Sequence, residues 1–115
     1  MTNETIFGRI LRKEIPADIV FEDEQCIAFR DINPQAPVHI VIIPREYITG
    51  LAGARPEHEA ILGHLLVVAG EIARRMGIAD SGYRVVTNSG PHGQQSVYHI
   101  HLHLIGGRQL EWPPG

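Results

Sequence analysis

The sequence predicts an α+β domain, a five-stranded antiparallel sheet carrying one long and one short helix. Three observations carry that expectation. Apolar residues recur at helical spacing in two segments only; short β-branched runs bounded by turn residues fill most of the rest; and the 115 residues contain no repeat, linker or low-complexity stretch. One domain over residues 1–115 follows, long enough to bury a core without metal or disulfide staples.

The elements follow in chain order. Thr5-Ile6-Phe7-Gly8-Arg9-Ile10-Leu11-Arg12 has helical spacing, and Ile15-Pro16 closes it as a short helix. Residues 18–22 and 26–32 have strand character and are separated by the polar turn Asp23-Glu24-Gln25, so a hairpin is expected. Asn33-Pro34-Gln35-Ala36-Pro37 is a loop, because its prolines fix φ and remove donors. Residues 38–43 form a nearly continuous β-branched run before Pro44, which suggests a strand buried on both faces.

Residues 56–76 then change to the helical period. Ile61, Leu65, Val68 and Ile72 form one stripe, with Leu62, Leu66, Ala69 and Met76 beside it. Pro56 suits the first turn, Glu57 and Glu59 the positive end, Arg74 and Arg75 the negative end, and Gly77 the C-terminal cap. Gly63 and Gly70 cost this helix about 1 kcal/mol each, which suggests close packing against a neighbour. Residues 83–87 make a fourth strand, residues 88–96 a loop, and residues 97–105 a fifth strand. The last ten residues have no periodicity but carry the sole tryptophan, Trp112.

Composition narrows the function. A net charge of −3 with no basic cluster argues against long nucleic acid, yet leaves room for one small nucleotide held by amides, histidines and helix ends. Cys26 is the sole cysteine, so neither an intramolecular disulfide nor a multi-cysteine zinc cluster can form. The N-terminus Met1-Thr2-Asn3-Glu4 does not look like a signal peptide, and no apolar stretch reaches the roughly 20 residues a membrane helix needs. A cytoplasmic protein is the expectation, with no membrane partner.

The chemistry concentrates in His99-Ile100-His101-Leu102-His103. On a strand, the three histidines would project from one face, and Ile100, Leu102 and Leu104 from the other, toward a core. Three readings compete. A solvent-facing strand more usually shows Thr, Lys, Glu and Arg. A zinc site would take two alternating histidines with His39 as a third ligand, but His99 and His103 lie roughly 13 Å apart on a strand, and the adjoining loop has no carboxylate. In the third, a neutral imidazole attacks phosphorus while a second moves a proton or meets a phosphate oxygen. The loop before the strand would offer amides, and Ser96 and Asn88 neutral donors. That chemistry needs no metal or other cofactor.

The same residues resemble the His-x-His-x-His-x-x signature of the histidine triad superfamily. The likeness extends through Phe7-Gly8-Arg9-Ile10, Ile15-Pro16-Ala17, Phe21-Glu22-Asp23, the segment Ala28-Phe29-Arg30-Asp31-Ile32-Asn33-Pro34-Gln35-Ala36-Pro37-Val38-His39, Gln95-Ser96-Val97-Tyr98, and the ending Gly106-Gly107-Arg108-Gln109 with Trp112-Pro113-Pro114-Gly115. These resemble the Hint branch. The resemblance implies a histidine-triad fold whose sheet extends across a homodimer, and hydrolysis of purine nucleoside phosphoramidates, including AMP-lysine, to the nucleoside monophosphate. It makes His101 the nucleophile, His103 a phosphate-contacting histidine, and His99 with His39 the pair that orients and tunes the nucleophile.

The likeness further implies that Asp31 holds the ribose hydroxyls with Ile32 beside the nucleoside, and that Phe7, Ile10 and Phe29 wall the base pocket. Asn88 and Ser96, with amides near Gln94 and Gln95, would contact the phosphate and leaving group. Bland alternatives stand beside these roles: Phe7, Ile10 and Phe29 as core, and Asp31 as a turn acceptor. His58, His64 and His92 match nothing catalytic. Gln94 stands where the Hint pattern has glycine, and Pro91-His92 replaces smaller or acidic residues, so the loop's shape and leaving-group preference are set by this chain's own residues. Competing functions are a nucleotide-binding regulatory or scaffold module with incidental catalysis, a dinucleoside polyphosphate hydrolase, and a zinc-binding protein.

Overall fold

The computed structural model describes residues 3–115; Met1 and Thr2, part of the N-terminus read for a leader, lie outside the described residues. Five strands, β1 (Ile19–Glu22), β2 (Cys26–Arg30), β3 (Val38–Pro44), β4 (Tyr83–Val86) and β5 (Leu102–Gly106), form one sheet in the order β1-β2-β3-β5-β4. Every neighbouring pair is antiparallel. The short helix α1 (Ile6–Leu11) lies against one face and the long helix α2 (Glu59–Arg75) against the other. The predicted architecture is the observed one.

Alternation on β2 and β3 sorts the two cores. Ala28, Ile40, Ile42, Leu102 and Leu104 pack with Leu65, Val68 and Ile72 of α2. Ile27, Phe29, Val41 and Ile43 pack with Phe7 and Ile10 of α1. β3 is therefore buried on both faces, as its β-branched run implies. Each fully buried Ile or Leu contributes about 1.5–3 kcal/mol. Among the described residues no helix is long and apolar enough to cross a membrane.

α1 starts where Thr5 Oγ1 accepts the Gly8 amide at 3.1 Å, and ends at Leu11, two residues before Lys13 at φ 63°. A 3-10 turn, Pro56–His58, precedes α2, and Gly77 follows its end at φ 74°. Four expectations need correction. Leu66, expected beside the apolar stripe, is exposed. Gly63 has no neighbour that a Cβ would meet, and Gly70 only ordinary contacts, so neither marks close packing. Strand β2 stops at Arg30, because Asp31 opens an Asx turn with its Oδ1 accepting the Asn33 amide at 2.8 Å.

The fourth correction matters most. Residues 97–101 are not strand, and β5 begins only at Leu102. The β3–β5 ladder runs from Val38↔Gly106 to Ile42↔Leu102 and stops there. Two residues further the partner strand reaches Pro44, which has no amide to donate, and whose carbonyl accepts from the His99 ring at 2.8 Å. The irregular segment is held instead by single ties. Ile100 N–H donates to Ile48 O at 2.7 Å, and Thr87 Oγ1 donates to His101 O at 2.9 Å.

Candidate active site

Of His99, His101 and His103, only His103 stands on a strand. It lies opposite Val41, hence on the α1 face, and His39 is its diagonal neighbour on β3. His101 reaches the same place from the irregular segment: its ring centroid is 5.0 Å from that of His103 and 4.9 Å from Phe7. These two rings line a cavity of about 600 Å³ whose walls include Phe7, Ile10, Phe29, Asp31, Ile32 and Ser96. His99 is wholly buried behind them and does not line the cavity.

Hydrogen bonds fix each imidazole's tautomer. His101 Nδ1 sits 2.8 Å from the His99 carbonyl, which can only accept, so Nδ1 carries the hydrogen and Nε2 keeps its lone pair. His99 Nε2 likewise donates to Pro44 O, which leaves its Nδ1 to accept from Asn3 Nδ2 at 2.8 Å. The Gln35 amide donates to His39 Nδ1 at 3.0 Å, so Nε2 of a neutral His39 is the donor. His39 Nε2 lies 2.8 Å from His103 Nδ1 and 3.3 Å from Asp31 Oδ2. His103 Nδ1 must then accept, and His103 Nε2 bears the remaining hydrogen.

Burial keeps the cluster uncharged. It pushes the imidazoles of His39, His99 and His101 below their usual range. His103 is lowered to about 4 by burial and then by the neighbouring His101 and His39 rings, with Asp31 opposing. At neutral pH the cavity therefore contains a lone pair on His101 and an N–H on His103.

The remaining sequence-predicted residues divide. Phe7 meets Phe29 edge-on at 5.6 Å, and both, with Ile10, belong to the core and to the cavity wall at once. Ile32 lines the cavity yet is 98% exposed. Asp31 both lines the cavity and serves the Asx turn. Ser96 is exposed there. Asn88 is not at the cavity: its Nδ2 donates to Gly93 O at 2.7 Å and braces the loop.

The amides of Gln94 and Gln95 donate to Pro91 O and Gly90 O, within the loop itself. Gln95's side chain is also committed, donating to Thr49 O at 2.8 Å and Val97 O at 3.1 Å and accepting from Gly90 N at 3.0 Å. Gln94 takes the left-handed conformation, φ 62°, that a glycine would adopt without strain. His39 and the His99 ring do not hydrogen-bond His101; His39 bonds His103 instead, and His99 meets the His101 ring through its backbone carbonyl. Sequence reasoning missed Asn3, Gln35, Thr87 and Val41. Three of them act through backbone or amide contacts across the fold, for which no local pattern exists.

A profile of the HIT domain family matches residues 12–110. The chain is 58% identical to an HIT-like protein of Synechococcus elongatus, with all of both chains covered. It is 61% identical to a maize protein described as a 14 kDa zinc-binding protein, over 96% of this chain and 88% of that one. A solved HIT family hydrolase from Legionella pneumophila is 47% identical and superposes with a TM-score of 0.94, covering 96% of this chain and 98% of its own. Sequence likeness over nearly the whole length and the same backbone course agree: the chain belongs to the HIT domain family.

Proposed function

We propose that this protein hydrolyses purine nucleoside phosphoramidates, as a member of the Hint branch, through a nucleotide carried covalently on His101. One observation carries the reading: His101 Nδ1 is held by a buried carbonyl at 2.8 Å, leaving a neutral Nε2 lone pair at a cavity that His103 and Asp31 also line. The HIT family hydrolases among its structural relatives support the reaction class.

The nucleoside occupies the apolar part of the cavity against Phe7, Ile10 and Phe29, with Ile32 closing over it and Asp31 accepting from the ribose hydroxyls. His101 Nε2 attacks the α-phosphorus, the P–N bond breaks, and the nitrogen leaves as an amine with a proton taken from solvent, which the attacking water of the next step returns. His103 Nε2–H and the Ser96 hydroxyl donate to phosphoryl oxygens as charge grows on them. Water then attacks the same phosphorus, which releases the monophosphate and restores neutral His101. These donors are neutral, which favours an amine leaving group over a polyphosphate. The reading includes a homodimer joined along β4, one of the two edge strands of the sheet; sedimentation at twice the mass of one chain checks this.

The deciding experiment is rapid quench of wild type and His101→Ala with adenosine and guanosine phosphoramidates and with diadenosine polyphosphates, in EDTA, followed by mass spectrometry. Wild type should turn over and carry one nucleotide; His101→Ala should lose roughly 10³-fold in rate and carry none. Equal rates, or preference for diadenosine polyphosphates, would overturn the reading.

A further inference from the structure

On the other face of the sheet, away from the cavity, lies a second set of metal-ligating side chains that the proposed reaction does not use. Asp23 sits in the β1–β2 turn, Cys26 opens β2, and His64 projects from the middle of α2. A carboxylate oxygen of Asp23, the Cys26 sulfur and an imidazole nitrogen of His64 all lie within 4.8 Å of one another. We propose that Asp23, Cys26 and His64 form a zinc site that fastens the β1–β2 turn to α2.

The geometry suits one ion. Tetrahedral zinc with bonds of about 2.0 Å to oxygen and nitrogen and 2.3 Å to sulfur separates its ligand atoms by about 3.3–3.6 Å. Asp23 Oδ2 and His64 Nε2 are now 2.7 Å apart, joined by a hydrogen bond, so the ion replaces that bond and parts the two groups by about half an ångström. The carboxylate is already aimed, because its other oxygen accepts the Gln25 and Cys26 amides at 2.8 Å each. Asp23 and His64 are 30% and 28% exposed, which gives the ion an entry and leaves a fourth position for water. Cys26 is fully buried, so the sulfur faces inward from the core.

The donor set selects for zinc over magnesium or calcium, which take oxygen ligands. Coordination breaks the Cys26 S–H bond, forms S–Zn, and sends the proton to solvent; His64 binds through Nε2 with its ring hydrogen on Nδ1. Burial and Asp23 push the free thiol up to about 12, so without metal this sulfur stays protonated. Asp23 meets the opposite fate. Burial alone would raise its carboxyl, but the His64 bond and the two amides outweigh it and hold it at about 2.

Cobalt(II), a spectroscopic substitute for zinc, tests this on the full reduced chain. One ion per chain should bind with a near-ultraviolet thiolate-to-cobalt band. Cys26→Ser should abolish that band, His64→Gln should weaken binding roughly tenfold or more, and His103→Asn should change neither. No binding, binding without the band, or a band of full affinity in His64→Gln would overturn the proposal, and loss on His103→Asn would move the metal to the cavity. Circular dichroism checks folding. Should Cys26→Ser not fold, the partly exposed His64→Gln decides alone.

Discussion

Asp31 has two claims on its carboxylate, and they can be separated. One oxygen holds the Asn33 amide and the other lies 3.3 Å from His39, while the side chain also borders the cavity. Asp31→Asn keeps an oxygen for the turn but loses charge-assisted bonds to ribose, worth about 1.5–3 kcal/mol, or roughly tenfold to a hundredfold in affinity. We expect that loss for ribonucleotides and little of it for 2′,3′-dideoxynucleotides, measured by calorimetry. Equal weakening of both would assign Asp31 to the loop alone. At this scale the sequence showed which side chains matter more clearly than how they meet. His101 and His103 converge as their spacing suggested, but His99 helps with its backbone carbonyl, and the Gln95 side chain is used up in binding three stretches of chain together. No residue type advertises which of its atoms will be taken.

The departure of residues 97–101 from strand geometry is the clearest case of an element whose sequence pattern misleads. Alternating His and apolar residues satisfy the period of a strand perfectly well, but a strand also needs a partner with amides, and β3 ends in proline. The same limit applies to α1, whose closeness to Asn3 cannot be read locally. A Cβ on Gly8 would stand 2.5 Å from the Asn3 carbonyl, and Asn3 in turn holds Thr5 and the His99 ring. Gly8→Ala should therefore cost about 1–3 kcal/mol in urea unfolding despite alanine's better helix propensity. Alanine raising stability instead would show that Asn3 moves freely. Elements defined by their own period were legible throughout: β1 to β4 and α2 fall within two or three residues of expectation.

The whole molecule stores four imidazoles, His39, His99, His101 and His103, in neutral form. Each has its folded pKa below the unfolded value of about 6.5, and His103 reaches about 4. The unfolded chain thus binds more protons than the native one in this window, so stability rises with pH there. It should be complete above about pH 6.5 and decline progressively toward pH 4, where His103 itself begins to charge in the folded state. Denaturant midpoints across this range test it, and substituting His103 with asparagine should flatten part of the slope. A slope unchanged in the variant would place the acid sensitivity elsewhere. Fold class, strand number and the two-sided burial of β3 were legible because hydrophobic period reports them. The assignment of opposite faces to the cavity and to the Asp23–Cys26–His64 cluster was not, since it depends on register between strands distant in sequence.

The Gln35 peptide hydrogen has a reach of two rings. A backbone nitrogen gives a hydrogen and never takes one, so the series Gln35 to His39 to His103 runs one way only. Two neutral imidazoles left to themselves would interchange their hydrogens and present a ligand with a mixture of giving and taking faces. Here that choice is made when the Asn33-Pro34-Gln35 turn forms, before any ligand arrives. Any acceptor that approaches His103 Nε2 consequently meets a face that can only give, and the ordering this requires is set by the fold itself.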